Sequence, residues 1–291
     1  MALKHALNPG ACMAEWKRDK PTGELPRVVT PNLLWTGGCL SIDYQGELTH
    51  GHFSTYVVRG SEKAMLVDTG HASHWKAAEK HVEEFLGDRP LDYIFPTHGE
   101  FPHGGLVAHW MKKYPNAICV GDLPEYPLYW PDLAHRIRQI KVGDEIDLGD
   151  RKMVFVPAIW RDLTTLWAFD TVGRVLFVSD AFAYLHYHKA GHCDFMTSEH
   201  APPDVKLIQF FNERALRWTR YTDTRETFAD VDEMLRRLKP LMIAAAHGGV
   251  IDTTADMIPL VKDGMLMGQS GAPATIVKMP AKQANKPATA Q

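Results

Sequence analysis

One short loop carries most of the residues that could bind a metal ion. Residues 97–105 read THGEFPHGG and offer two imidazoles, His98 and His103, and one carboxylate, Glu100. Such nitrogen and oxygen donors suit Zn, Fe or Mn, and alternate side chains of a short loop can converge on one ion. An isolated loop of this kind is more often structural, so the prediction of a metal site needs donors from elsewhere in the chain.

Two such donors occupy equivalent places further along. His98 follows the apolar run LDYIF, Asp180 follows VLFVS and His247 follows LMIAAA. A sheet fixes the backbone at the end of a strand while the next loop keeps the side chain accessible. We therefore expect these three residues to meet at one site, although 82 and 67 residues separate them (180 − 98 and 247 − 180).

The ordered set of motifs resembles the metallo-β-lactamase superfamily over about residues 30–265. The matching segments are LVDTG at 66–70, the loop at 97–105, VSDAF at 178–182 and AHG at 246–248. Glutamate at position 100 and the Asp-Ala-Phe at 180–182 are most similar to the flavodiiron and oxygen-binding diiron branch. The resemblance implies an αβ/βα four-layer sandwich of the α/β class, with its metals at the edge between two sheets.

The same resemblance assigns ligands and exposes two departures. The family carries an aspartate where this chain has Pro102 and a histidine where it has Ile159, and neither residue can ligate. The resemblance leaves two ligand sets, which are His98, Glu100 and Asp180 for one ion, and His103, Asp180 and His247 for the other. Three ligands and water can still hold one or two divalent transition metals (Zn, Fe or Mn) at a catalytic site.

Other side chains are candidates for a supporting role. The resemblance implies that Asp68 orients ligands rather than binding metal itself, and a buried carboxylate at a strand end needs such hydrogen bonds. Asp162, or one of His186, His188 and His192, could fill a vacancy. Trp160, with several other Trp and Tyr residues, could wall an aromatic pocket, although such residues are more often core.

The spacing of apolar residues predicts the elements that position these groups. A short strand at 64–67 stops at Asp-Thr-Gly, and a helix follows with apolar residues from Trp75 to Phe85, capped by Ser73 and ended by Gly87. Further strands are expected at 91–95 and 117–120, two hairpins at 146–156 and 166–178, a helix at 228–238 and a strand at 241–246. We expect one domain at 31–268 between an N-terminal arm at 1–30 and a loose C-terminal tail at 269–291.

Composition narrows the function. The chain has 32 Lys and Arg residues and 35 Asp and Glu residues, which gives a net charge of −3. Nucleic-acid binding depends on an excess of positive charge, so we do not expect a nucleic-acid partner. No apolar run approaches the roughly 18–20 residues of a membrane span, and the first residues lack the apolar stretch of a signal peptide, so we expect a cytoplasmic protein. The four cysteines are scattered without a CxxC pair, which predicts neither disulfides nor a zinc knuckle.

Three functions remain open on the sequence. The first is a metal-dependent hydrolase, in which metal-activated water attacks a small organic substrate, aryl electrophiles among them, while Asp180 bridges the ions and Glu100 or Asp162 takes the proton. The second is a diiron oxidoreductase acting on dioxygen or nitric oxide with a separate redox partner. The third is a degenerate, metal-poor subunit that supports an active paralogue. We expect a homo-oligomer, or a hetero-oligomer with a paralogous subunit.

Overall fold

Two β-sheets pack face to face with helices on their outer sides, within residues 24–187 and 193–269, which the computed structural model describes. The first sheet has seven strands in sequential order: β1 (Arg27–Thr30), β2 (Leu33–Tyr44), β3 (Glu47–Arg59), β4 (Ala64–Val67), β5 (Tyr93–Phe95), β6 (Ile118–Gly121) and β7 (Ile137–Gln139). Strands β1 to β4 are antiparallel, whereas β4 to β7 are parallel.

The second sheet has five strands and closes the sandwich. Its order is β12-β11-β10-β9-β8, with strands β8 (Glu145–Asp147), β9 (Lys152–Pro157), β10 (Leu166–Asp170), β11 (Val175–Phe177) and β12 (Met242–Ala244). Only β11 and β12 pair in parallel within this sheet. Two parallel strands therefore deliver their carboxyl ends to the same edge.

Helices cover both outer faces. They are α1 (Trp75–Leu86), α2 (Phe101–Gly104), α3 (Val107–Lys113), α4 (Tyr126–Tyr129), α5 (Val205–Ala215), α6 (Arg225–Leu238) and α7 (Thr254–Gln269), with short 3-10 helices at Pro131–Arg136, Thr197–Glu199 and Arg217–Arg220. Within the described part of the chain, no helix combines the length and apolarity that crossing a bilayer requires.

Three apolar layers hold the sandwich together. The central layer joins both sheets and includes Trp35, Phe95, Phe155 and Phe177. One outer layer packs the helices α1 and α3 on the first sheet, and the other packs α5, α6 and α7 on the second. The predicted αβ/βα four-layer sandwich is confirmed.

The limits of the elements differ from the predictions in places. Arg27–Thr30 form a strand although they fall within the predicted N-terminal arm. Residues 1–23 and 270–291 lie outside the described part. Helix α1 is preceded by His74 rather than capped by Ser73, and no side chain makes a capping hydrogen bond from that position. Gly87 ends α1 as predicted, with a φ of 61°.

Candidate metal centre

Asp180 lies at the centre of three imidazoles. Its Oδ1 is 3.3 Å from Nε2 of His103 and 3.1 Å from Nε2 of His247, while its Oδ2 is 3.3 Å from Nε2 of His98. All four side chains are buried. The two oxygens of one carboxylate therefore face different histidines, as a carboxylate shared by two metal ions would.

The unsatisfied atoms in this group fit a metal. Both ring nitrogens of His98 and the Nε2 of His103 are buried and find no hydrogen-bond partner among the described residues. A buried polar atom without a partner costs roughly 1–3 kcal/mol, and a metal ion bound by these nitrogens would remove that cost. His98, Glu100, His103 and Asp180 each offer a ligand atom within 4.8 Å of the others.

Glu100 sits at the mouth of the group. Its side chain is 59% exposed, and its Oε2 is 3.9 Å from Nε2 of His98. It precedes α2 and belongs to the loop that the sequence singled out. This carboxylate can therefore reach both the buried donors and solvent.

The ends of four strands place these residues. Asp68 follows β4, His98 follows β5, Asp180 follows β11 and His247 follows β12. Backbone contacts tie the two sheets together at this edge, since Leu166 donates to the carbonyl of Thr97 at 3.0 Å and Ser54 donates to that of Ala246 at 2.8 Å. The loop geometry is special here, because Asp68 and Ser179 adopt the left-handed region with φ of 55° and 56°.

A hydrogen bond on the far nitrogen orients two of the rings. His103 donates from Nδ1 to Oδ2 of Asp68 at 3.0 Å, and His247 donates from Nδ1 to the backbone carbonyl of His52 at 2.7 Å. The other oxygen of Asp68 accepts from the backbone N–H and the hydroxyl of Thr97. Each Nε2 is thus left to face Asp180, which is the usual arrangement behind metal-binding histidines.

Close packing fixes the loop that carries His103. A Cβ on Gly104 would overlap the Tyr126 hydroxyl and would lie 3.4 Å from the carbonyl oxygen of His98. No side chain fits at position 104 without displacing this tyrosine, which is itself buried. Glycine there lets the last residue of α2 lie directly against Tyr126.

The two loop histidines have opposite pKa shifts. Burial lowers the pKa of His98 to about 4. Burial also opposes the charged form of His103, but the carboxylates of Asp68 and Asp180 outweigh it and raise its pKa to about 10. Burial disfavours the ionised form of Asp180 as well, yet its contacts with His103 and His247 hold its pKa well below the usual range. In the metal-free chain His98 is therefore neutral and His103 protonated at neutral pH.

Metal binding should consequently release a proton from His103. The pKa of this residue in the fold, about 10, exceeds its ordinary value of 6.5, so its charge stabilises the metal-free fold fully below pH 6.5 and this stabilisation is lost as the pH rises toward 10. Over that range we expect the apparent Kd for Fe²⁺ or Mn²⁺ to fall about tenfold per pH unit. Competition titrations against a chelator at several pH values measure this Kd. A Kd that does not change with pH would contradict the role of His103 as a ligand that loses a proton when metal binds.

Two further predicted residues, Asp162 and Trp160, have different surroundings. Asp162 is exposed and belongs to no metal-binding group among the described residues. Trp160 is a core residue rather than a pocket wall: its ring packs on Phe182 and Phe228, and its Nε1 donates to Thr227. Because Thr227 accepts the hydrogen bond of the indole N–H, the whole Trp160 ring can be buried between the second sheet and its helices. This is why Trp160 belongs to the core and does not line a pocket.

The predicted histidines after Asp180 fall elsewhere. His186 pairs with His50 through an isolated β-bridge and belongs to a second group of cysteines and histidines. His188 and His192 lie outside the described residues. The sequence analysis did not predict this second group. The available signal was the spacing of His50 and His52, which are two residues apart and therefore lie on the same face of a strand.

The sandwich and the donors at its edge define a metallo-β-lactamase-like domain. The chain belongs to the family described as ODP family beta lactamase, whose model matches residues 52–248. The predicted resemblance to the flavodiiron branch of the superfamily is confirmed.

Curated relatives include an anaerobic nitric oxide reductase flavorubredoxin from Vibrio vulnificus, 26% identical over 76% of this chain and 45% of that protein. Another is a coenzyme F420H(2) oxidase from Methanothermobacter thermautotrophicus, 27% identical over 53% of this chain and 41% of that protein. The chain thus spans less than half the length of these two relatives.

Solved structures support the fold. Rubredoxin oxygen:oxidoreductase from Desulfovibrio gigas aligns with a TM-score of 0.65 at 16% identity, over 84% of this chain and 62% of that one. A chemotaxis sensor ODP, solved as its peroxy diiron species, aligns with a TM-score of 0.58 at 20% identity, over 79% of this chain and 91% of that one.

These relatives correct the functional prediction. The hydrolase hypothesis is wrong, because the matched proteins are a reductase and oxidases rather than hydrolases. Membership of the metallo-β-lactamase superfamily holds. The donor group at Asp180 fits the predicted one or two transition metals, iron among them, whereas nothing in these relatives supports zinc at that position.

Proposed function

We propose that this chain is the metal-binding part of an iron-dependent oxidoreductase that acts on dioxygen or nitric oxide. The observation that carries the proposal is the placement of Asp180, whose two oxygens face Nε2 atoms of different histidines. The names of two relatives, a nitric oxide reductase and an oxygen oxidoreductase, point to the same class of reaction.

Two ligand sets would hold the irons. His98, Glu100 and Asp180 form one, and His103, Asp180 and His247 form the other. Iron bound there would supply the redox chemistry that delivers electrons to a diatomic gas. The residues that hold His103 and His247 in place are Asp68 and, through its carbonyl, His52.

The surroundings favour a small apolar substrate. The ring of His247 is flanked by Phe53 and Phe211, with ring centroids 4.9 Å away in each case. Apolar rings at this distance exclude water from that side of the donor group. A diatomic gas can reach such a buried site without carrying charge into it.

Glu100 is the group we assign to proton movement. It is the most exposed member of the donor group, so the carboxylate oxygen that does not bind iron can take a proton from solvent and hold it close to the donor group. Reduction of one O2 to two waters consumes four protons and four electrons. The name of the flavorubredoxin relative points to a rubredoxin or a flavoprotein as the source of these electrons.

A gas sensor is the second candidate. The family model that matches residues 52–248 carries the name ODP, and a chemotaxis sensor ODP is among the similar structures. A sensor needs to bind the gas at the same ligands without repeated turnover. The two candidates therefore differ in the number of turnovers rather than in the site.

A limited-oxygen experiment tests both. Protein loaded with Fe²⁺ under anaerobic conditions is mixed with limiting O2 in the absence of a donor, and oxygen is followed with an electrode. Two ferrous ions supply two electrons, which with two protons reduce one O2 to hydrogen peroxide, so we expect removal of about one O2 per pair of irons and release of peroxide. Asp180→Asn should remove none. Asp88→Asn is the matched control, because Asp88 is an exposed aspartate that belongs to no metal-binding group among the described residues.

Addition of reduced rubredoxin then separates the candidates. Continued removal of O2 or NO over many turnovers supports the oxidoreductase, while removal that stops after one equivalent supports the sensor. Iron-loaded, folded protein that removes neither gas would overturn both.

A further inference from the structure

A second cluster of metal-binding side chains lies on the β2–β3 hairpin, separate from the donors around Asp180. Cys39, His50 and Cys193 offer ligand atoms within 4.8 Å of one another, and so do Cys39, His52 and His186. The two triads share Cys39. We call these five residues the thiol–histidine cluster.

The hairpin register brings three of its members to one face. Cys39 pairs with His52 across β2 and β3, and His50 lies two residues before His52 on the same strand. Successive side chains of a strand alternate between faces, so residues 50 and 52 project to the same side. The ring of His52 also stacks on that of His186, with centroids 4.5 Å apart.

Backbone contacts attach the other two members to the hairpin. His50 and His186 exchange both backbone hydrogen bonds, at 2.9 and 3.0 Å. His52 Nε2 donates to the carbonyl of Cys193 at 2.5 Å. The Sγ atoms of Cys39 and Cys193 lie within 4.8 Å of each other. His186 and Cys193 are therefore both held beside the same hairpin.

We propose that the thiol–histidine cluster is a structural zinc site, with Cys39, Cys193 and His50 as three ligands and His186 or His52 as the fourth. Bonds of about 2.0–2.3 Å place the ligand atoms of a tetrahedral zinc site roughly 3.3–3.8 Å apart. The ligand atoms within each triad already lie within 4.8 Å of one another, and the two triads share Cys39, so the fourth ligand would join the first triad by rotation of its side chain. Two thiolates and two imidazoles form a closed set that suits Zn²⁺.

The donor types separate this site from the one at Asp180. Sulfur ligands favour Zn²⁺ or Cu⁺, whereas the carboxylates and imidazoles around Asp180 suit iron. Zinc in the cluster would fasten the β2–β3 hairpin to the segments that hold His186 and Cys193. This matters for the Asp180 site because the carbonyl of His52 accepts the hydrogen bond that orients His247.

Metal analysis of the full chain tests the site. Protein is dialysed against Zn²⁺, washed and assayed for zinc by mass spectrometry, with Cys39→Ser and Cys193→Ser as variants and Cys119→Ala as the matched cysteine control. Cys119 is buried in the layer between the first sheet and its helices, and it belongs to neither triad. We expect each serine variant to lose zinc affinity by about 100-fold or more, and the control to keep it.

A Co²⁺ titration of the unmodified protein makes the test independent of variant folding. Unmodified protein titrated with Co²⁺ should develop a thiolate-to-metal charge-transfer band, which donors at Asp180 cannot produce because they contain no sulfur. Asp180→Ala should retain this band, and His186→Ala and His52→Ala should show which histidine is the fourth ligand by weakening zinc binding.

Three outcomes would overturn the proposal. The first is the absence of a charge-transfer band in folded protein. The second is equal zinc binding in wild-type protein and both serine variants. The third is a loss of two titratable thiols without zinc, which would show that Cys39 and Cys193 form a disulfide instead.

Discussion

Replacing Asp180 with alanine is expected to strip bound metal from both positions of the candidate centre while leaving the fold intact. Its two oxygens face the Nε2 atoms of His98 and of His103 and His247, so one substitution removes a donor from both ligand sets. Loss of an outer contact to a ligand already costs roughly 10–100-fold in affinity, and loss of a shared ligand should cost more. Metal content per chain, measured after dialysis against Fe²⁺, gives the result.

We expect the variant to fold because the apolar residues of β11, and not Asp180, pack this strand into the core. Asp180 follows β11, whose residues Val175 and Phe177 pack in the central layer. Far-UV circular dichroism should therefore match that of the wild type. Asp180→Asn, which keeps the shape and removes the charge, should also lose metal, whereas Asp88→Asn should not. A folded Asp180→Ala protein with full metal content would refute the shared ligand.

Elements with clear apolar periodicity were predictable around the site. The helices at Trp75–Leu86 and Arg225–Leu238 and the strand at Ala64–Val67 match the predictions closely, because local spacing decides which face is buried. The long β2–β3 hairpin and the helices α5 and α7 were not predicted. Helix α7 contains Pro259 inside its span and has apolar residues on several sides, so its pattern does not point to one buried face.

The two side-chain clusters differ in how far sequence reasoning can reach them. His98, Asp180 and His247 each follow an apolar run, so a single rule about strand ends is enough to predict that they meet. Cys39 and Cys193 are separated by 154 residues (193 − 39) and follow no common pattern. Their meeting depends on the hairpin register and on the contact of His52 with the Cys193 carbonyl, which are properties of the folded chain.

The hydrolase prediction was wrong for a physical reason. Histidines and carboxylates at the edge of this sandwich can serve either water activation or redox chemistry, and the choice depends on which metal binds and what delivers electrons. The exposed Glu100 was the residue that favoured the redox alternative. The spacing of the ligands in the sequence determines neither which metal binds nor which protein donates electrons.

Restoring the two departures from the family pattern should increase metal binding. Pro102→Asp adds a carboxylate beside His103 in α2, and Ile159→His adds a nitrogen after β9. An additional ligand acts at close range, where even outer contacts are worth roughly 10–100-fold, so the double variant should bind more metal per chain or bind it at least about tenfold more tightly. Titration with Fe²⁺ followed by metal analysis measures the change.

Matched variants separate the added ligands from the side effects of the substitutions. Pro102→Ala removes the proline without adding a metal ligand. Ile159→Leu keeps an apolar side chain in the layer between the second sheet and its helices, where Ile159 packs. Because a half-buried histidine is destabilising unless it binds metal, the melting temperature of the double variant should rise with Fe²⁺ by more than that of the controls. An unchanged metal count in the folded double variant would mean that the loops place positions 102 and 159 out of reach of the ions. The ligand sets built on His98, Glu100, His103, Asp180 and His247 would then be complete as they stand.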